Sequence, residues 1–211
     1  LPVFCFFVTM DHAHAIRIIT QCAAIYQAEL NRKNVLFLYK SDSNVHALEC
    51  CFLPRHFLHL TGVRFSGTSS NFLRLCVEHK LSPQQISLAA NGTTEMKLQV
   101  LPEMVNIHKT ARMIGSYDQS KVLLYTERLV GSVRGCMGFV TEGDYYVPNT
   151  VLREDIRKIS LGCKGVLAVF VKDIEQKIYT NASYCSAEDV LTDIMQVEAF
   201  SRYFRCVEEP K

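Results

Sequence analysis

Val35-Leu36-Phe37-Leu38-Tyr39, the polar stretch Ser41-Asp42-Ser43-Asn44, and then Val45-His46-Ala47-Leu48-Glu49-Cys50 decide how the chain is read. The first run is apolar throughout and short enough to be a buried strand. The second alternates, placing Val45, Ala47 and Glu49 on one side and His46, Leu48 and Cys50 on the other. Four polar residues between them predict an antiparallel hairpin. Upstream, from Asp11 to Lys33, Ala15, Ile18, Ile19, Cys22, Ile25, Tyr26 and Leu30 recur at helical steps, with Asp11 as the cap. Downstream, Pro54 ends the second strand because it has no N–H for a ladder.

The remaining pattern alternates between helix and strand. Asn71 to Lys80 reads as a short helix with Phe72, Leu75 and Cys76 on one face, and Ser82-Pro83 as an N-cap with proline at the first helical position. After the Asn91-Gly92 turn, helical spacing runs from Glu95 to Ala111 through Leu98, Leu101, Val105 and Ile107, interrupted at Pro102. Strands are expected at 122–126 and 133–140, and Pro148-Asn149-Thr150 reads as a turn and helix cap before Leu152, Ile156 and Ile159. Gly165 opens Val166 to Val171, the clearest buried strand, with Ile178 and Tyr179 as its antiparallel partner. An acidic helix capped by Ser186 closes the chain to Phe200. No repeat or flexible linker divides these parts. The expectation is one α+β domain over residues 1–211, with N-terminal helices packed on a mainly antiparallel sheet.

Composition narrows the function classes. With 48% hydrophobic and 21% charged residues the chain is globular rather than disordered. No apolar run approaches the roughly 20 residues of a membrane span, and Leu1 to Val8 is too short and lacks the basic leader of a signal peptide. Nine cysteines without any Cys-x-x-Cys spacing predict a reducing, cytoplasmic setting, with neither a disulfide framework nor a metal site, and no cofactor motif is present. The net charge of +2 is unevenly spread: Lys109, Arg112, Lys121, Arg128 and Arg134 face only Asp118 and Glu127 over 109–134. A basic surface of that kind can hold a polyanion; an ordinary mixed surface is the other reading.

Arg55-His56-Phe57-Leu58-His59-Leu60-Thr61-Gly62-Val63 sets two imidazoles, a guanidinium and a hydroxyl among bulky apolar residues. That is the composition of a half-buried active-site wall. It also suits a hydrogen-bonded core histidine followed by a capped turn.

Most of the chain resembles the phage-associated branch of the barnase, EndoU, colicin and RelE-like nuclease superfamily. The residues that carry the resemblance are Asn34 to Tyr39, His56 to Val63, Gly92-Thr93-Thr94 with Lys97-Leu98, Gly138-Phe139 and Val147-Pro148-Asn149-Thr150. The resemblance implies a compact α+β nuclease fold, mobile-element origin mainly in Firmicutes, an RNA substrate, and an immunity or antitoxin protein as a possible kind of partner. It supplies no catalytic set, so the residues follow from what metal-independent RNA cleavage requires. The 2′-hydroxyl attacks and leaves a 2′,3′-cyclic phosphate, which calls for a base, an acid and a cation. His59 is the first choice for a proton-transfer role, with Thr61 positioning a phosphate oxygen and Lys97 or Arg128 stabilising charge; Tyr39, Thr126 and His56 rank second. Each also has a plainer reading: Tyr39 as a strand end, Thr126 as a β-position, Lys97 as solvated helix surface. Two other functions fit the same residues, a non-catalytic module that binds RNA, a nucleotide or a partner protein, and a nucleotide transferase that consumes NAD.

Overall fold

In the computed structural model, which describes residues 10–121, 124–187, 194 and 198–205, the hairpin is present as β1 (Lys33–Ser41) and β2 (Asn44–Phe52). Asp42 and Ser43 both take positive φ, 50° and 68°, which is the two-residue turn whose twist matches flanking strands. Their register pairs Ser41 with Asn44 and Tyr39 with His46. The preceding helix α1 (His12–Glu29) is capped as expected, the Asp11 carboxylate accepting from the His14 N–H at 2.7 Å.

Beyond β2 come a 3₁₀ turn (Pro54–His56), α2 (Phe57–Thr61), β3 (Arg64–Phe65), α3 (Ser69–Val77), β4 (Ile86–Ser87), α4 (Thr93–Met104) and α5 (Ile107–Thr110). The rest is mainly strand: β5 (Met113–Tyr117), β6 (Arg128–Gly131), β7 (Cys136–Glu142), β8 (Tyr145–Leu152), then α6 (Ile156–Ile159), β9 (Ser160–Asp173) and β10 (Ala182–Cys185). The strands run in the order β1-β2-β8-β7-β6-β5-β9, and β9 pairs back onto β1, so seven strands close into a barrel. The expected mainly antiparallel α+β sheet is therefore present in a closed form. β9 makes closure possible by length: its fourteen residues pair with β5 along 160–165 and with β1 along 166–173. The β2–β8 junction is the parallel one, made at Cys50 and Tyr146.

Strand alternation separates three apolar clusters. Val35 and Phe37 of β1, Leu48, Cys50 and Phe52 of β2, Ile114, Val130 and Phe139 join Ile19, Tyr26, Leu98 and Leu101 from the helices. Phe139 meets Phe37 and Phe52 edge-on at 6.5 and 6.1 Å; each such buried ring stabilises the fold by about 1.5–3 kcal/mol. On the other face, Leu36, Leu38 and Phe170 are covered by Tyr179, Phe200, Tyr203 and Phe204. β1 is thus buried on both faces, which is why it reads as an unbroken apolar run. A third cluster packs Tyr117, Leu129 and Cys136 on Ile156 of α6.

The structure departs from the expected elements in the second half. β5 and β6 were not anticipated. Of the strand expected at 122–126, residues 122 and 123 lie outside the described residues, and 124–126 form a loop. The Thr126 carbonyl there accepts from Gln119 Nε2 at 2.8 Å and the Tyr125 carbonyl from Asn149 Nδ2, so side chains replace a neighbouring strand. The strand expected at 133–140 begins later, at Cys136, because Ser132 to Gly135 make a turn closed by the Ser132 N–H on the Gly135 carbonyl. Pro148-Asn149-Thr150 lies inside β8: Phe139 pairs with Pro148 and Gly138 with Thr150, leaving Asn149 as the extra residue of a bulge. The cap of α6 is instead Asp155. The antiparallel partner of β9 beyond the 173–176 turn is β10 rather than Ile178 and Tyr179; Tyr179 is a buried plug whose hydroxyl donates to Glu49 at 2.7 Å. Most of the expected acidic closing helix, residues 188–193 and 195–197, lies outside the described residues.

Candidate active site

Gly62 ends α2 with φ +73°, and a Cβ there would sit 2.8 Å from Lys97 Cδ and 3.3 Å from Thr94 Cα. Glycine is needed for both the left-handed turn and the close approach of α4. The two helices are then fastened together. The Thr94 hydroxyl donates to the Gly62 carbonyl at 2.7 Å and accepts from the Ala89 N–H at 2.9 Å, while the Lys97 ammonium donates to the His59 carbonyl at 2.9 Å. His59 is exposed and Lys97 half-buried, so the pair stands at the surface with one polar edge open.

Lys97 forms part of the wall of a cleft of about 400 Å³ between α4 and the β8–α6 segment. Thr93, Tyr117, Lys121, Thr150 and Arg153 supply the other polar groups, Met96, Leu124, Leu152 and Ile159 the apolar surface, and Glu154 the acidic side chain on the wall. The volume suits a nucleotide-sized ligand. Electrostatics distinguish Lys97, on the cleft wall, from His59, whose carbonyl it holds. Partial burial and the neighbouring Lys97 charge hold the His59 ring below its usual value of 6.5, so at neutral pH it is a base with a free lone pair. Burial brings Lys97 down from 10.5 to about 8, which leaves it charged at pH 7 yet a much better proton donor than an exposed lysine. An acid and a base poised on either side of neutrality are what proton-transfer catalysis requires.

The other expected site residues are placed elsewhere. Thr61 is fully buried, its hydroxyl donating to the Leu58 carbonyl (2.8 Å) and accepting from the Val63 N–H (3.3 Å), so it locks the end of α2. His56 is also buried. Its Nδ1 accepts from the Leu53 N–H at 3.1 Å, and burial with the Arg55 and His59 charges holds it at about 4, so it remains neutral. Thr126 is sealed behind Gly138, donating to Asn149 at 3.0 Å. Tyr39 and Arg128 do come together, at the open end of the barrel: both line a cavity that includes neither His59 nor Lys97. Ser116 lies with Arg128 and the next residue, Tyr117, lies in the α4 cleft, so the two cavities are on opposite faces of β5.

Sequence reasoning named His59 with either Lys97 or Arg128, of which Lys97 is the one bonded to His59, and missed Thr93, Tyr117, Thr150 and Arg153. Thr93 and Thr150 sit inside segments already singled out by resemblance, and Lys121 inside the basic stretch. For Arg153, which donates to Gln99 at 2.5 Å, no local pattern exists.

Comparison with the curated proteins and with the solved structures finds no match. Among the described residues, no helix is long and apolar enough to cross a membrane. The segments His56 to Val63 and Gly92 to Leu98, distant in sequence, meet at the α2–α4 junction, and the second supplies Thr93 and Lys97 to the cleft wall that Thr150 also lines. The profile described as phage-Barnase-EndoU-ColicinE5/D-RelE like nuclease4 matches residues 18–188, from within α1 to beyond β10, and the chain belongs to that nuclease family.

Proposed function

We propose that the protein is an endoribonuclease that cleaves at the α4 cleft by attack of the 2′-hydroxyl. His59 accepts the 2′ proton as O2′ bonds to phosphorus. The P–O5′ bond breaks as Lys97 delivers its proton to O5′, leaving a 2′,3′-cyclic phosphate. His59 then gives up its proton and Lys97 regains one, restoring both groups. Arg153 and Lys121, both on the cleft wall, offset the charge that builds on the phosphoryl oxygens. Thr93 and Thr150 supply hydroxyls that can orient the phosphate. Because these cations belong to the chain itself, the reaction as written needs no metal. The observation that carries this reading is the fastening of His59 to Lys97 across the α2–α4 junction, with their proton affinities displaced to bracket neutral pH.

The test is incubation of purified protein with an end-labelled single-stranded RNA in excess EDTA, beside the same sequence as DNA. Cleaved RNA with 2′,3′-cyclic phosphate ends, intact DNA, and loss of cutting in His59→Ala are the expected results. Intact RNA bound in a salt-sensitive manner would instead identify a binding module, and DNA cut as fast as RNA would rule out the 2′-hydroxyl as nucleophile.

A further inference from the structure

Four strands change character at one level of the barrel. Along the inward face, β1 passes from Phe37 to Tyr39, β2 from Leu48 to His46, β5 from Ile114 to Ser116, and β6 from Val130 to Arg128. Tyr39 is paired with His46 and Ser116 with Arg128, so the change falls on two cross-strand pairs. A barrel stabilised by inward burial gains nothing from that switch, and departures from the folding pattern concentrate where a ligand binds. The cavity they line measures about 440 Å³.

Its chemistry is specific. The Tyr39 and His46 rings stack at 5.5 Å with 26° between their planes, forming a continuous aromatic surface. Arg128 Nη1 donates to the Ser116 hydroxyl at 2.7 Å, which orients the planar guanidinium, and Lys164 from β9 adds a second cation to the same wall. Asp42, its carboxylate accepting from the Ser41 hydroxyl at 3.0 Å, stands at the rim. An aromatic platform, a fixed guanidinium with an ammonium, and one carboxylate correspond to a base, a phosphate and a hydroxylated sugar.

We propose that the barrel mouth is a nucleotide-binding site separate from the cleavage cleft, holding a phosphate between Arg128 and Lys164, a base against Tyr39 and His46, and ribose hydroxyls toward Asp42. The nucleotide is either free or one residue of an RNA strand; the recognition chemistry is the same.

Calorimetric titration of the full chain, in the uncleaving His59→Ala background, with 5′-AMP, 5′-GMP, 5′-CMP, 5′-UMP, inorganic phosphate and a single-stranded RNA hexamer separates the sources. Mononucleotide binding no weaker than hexamer binding identifies a free nucleotide, whereas a tighter hexamer identifies a strand. In both cases Arg128→Gln and Lys164→Gln each weaken the preferred ligand about tenfold, the effect of losing one charged hydrogen-bonding partner. Tyr39→Leu removes the advantage of nucleotides over inorganic phosphate. Melting curves identify any variant that fails to fold, and Lys164→Gln then serves alone. The proposal is overturned if no nucleotide or hexamer binds, or if binding is unchanged in Arg128→Gln and Lys164→Gln. Neither result bears on whether the α4 cleft cuts RNA.

Discussion

The Lys97 ammonium donates to the main-chain carbonyl of His59 at 2.9 Å, so the lysine is held by the backbone of the residue whose side chain it accompanies. The bond ties α2 to α4 and holds the Lys97 side chain at the wall of the α4 cleft.

Cleavage should follow a bell-shaped pH profile. The acid limb reflects His59, which must be deprotonated to act as base and whose value lies below 6.5. The alkaline limb reflects Lys97, which must be protonated to act as acid and which titrates at about 8. Activity therefore rises through the first value and falls through the second. Lys97→Arg should abolish the alkaline limb below pH 10 while lowering kcat about a hundredfold or more. Rates on a labelled oligonucleotide from pH 5 to 10 provide the measurement; a single rising limb in the parent protein would remove Lys97 as the acid.

Gly62→Ala should affect stability and catalysis together. The left-handed φ costs about 1–2 kcal/mol for a residue with a Cβ, and that Cβ meets Lys97 Cδ and the α4 backbone. Urea unfolding should show the loss of stability. A displacement of about 1 Å between the two helices should lower kcat as much as a hundredfold with a smaller change in KM.

His56 should make the fold sensitive to acid. Its folded value of about 4 lies below the ordinary 6.5, so the unfolded chain takes up the proton first and stability declines as pH falls from 6.5 towards 4. The loss amounts to about 3 kcal/mol at most. His56→Asn, which can still accept from the Leu53 N–H, should be less stable at pH 7 but flatter between pH 6.5 and 4 in parallel urea titrations.

Ser43→Gly should raise stability by about 1 kcal/mol, since Ser43 holds φ +68° in the β1–β2 turn without a glycine's freedom. Thermal melting at fixed pH would show it, and an unchanged or lower Tm would indicate that the turn is not strained at this position.

The first half of the fold was legible because its signals are local: the Asp11 cap, the four-residue turn, Pro54, and the Gly62 turn each act within a few residues. Hairpin register alone places Tyr39 opposite His46, so that pair was within reach of the sequence. The second half was less legible because bulges and side-chain bonds override propensity there. Asn149 is an extra residue in β8 and holds the Tyr125 carbonyl, so Val147 to Thr150 imitates a turn while lying within a strand. At the site, His59 and Lys97 could be nominated from their residue types. Their contact depends on two helices crossing at a glycine, and Arg153 reaches the cleft wall beside Lys97 through barrel geometry that no short window encodes. Thr61 misled because a threonine beside a glycine can serve the backbone as readily as a phosphate.

The parallel joint between β2 and β8, at Cys50 and Tyr146, unites residues nearly a hundred positions apart across a narrow ladder. The hairpins on either side can zip from their own turns, whereas this junction, like the longer β1–β9 ladder, must wait for both halves of the chain to meet, and it has far fewer paired residues to offset the entropy of that long loop. The barrel thus carries a seam, the narrowest stitch in the ring and the first to slip under strain. Amide exchange along β2 and β8 should outpace that of β1 and β9 if the ring opens there.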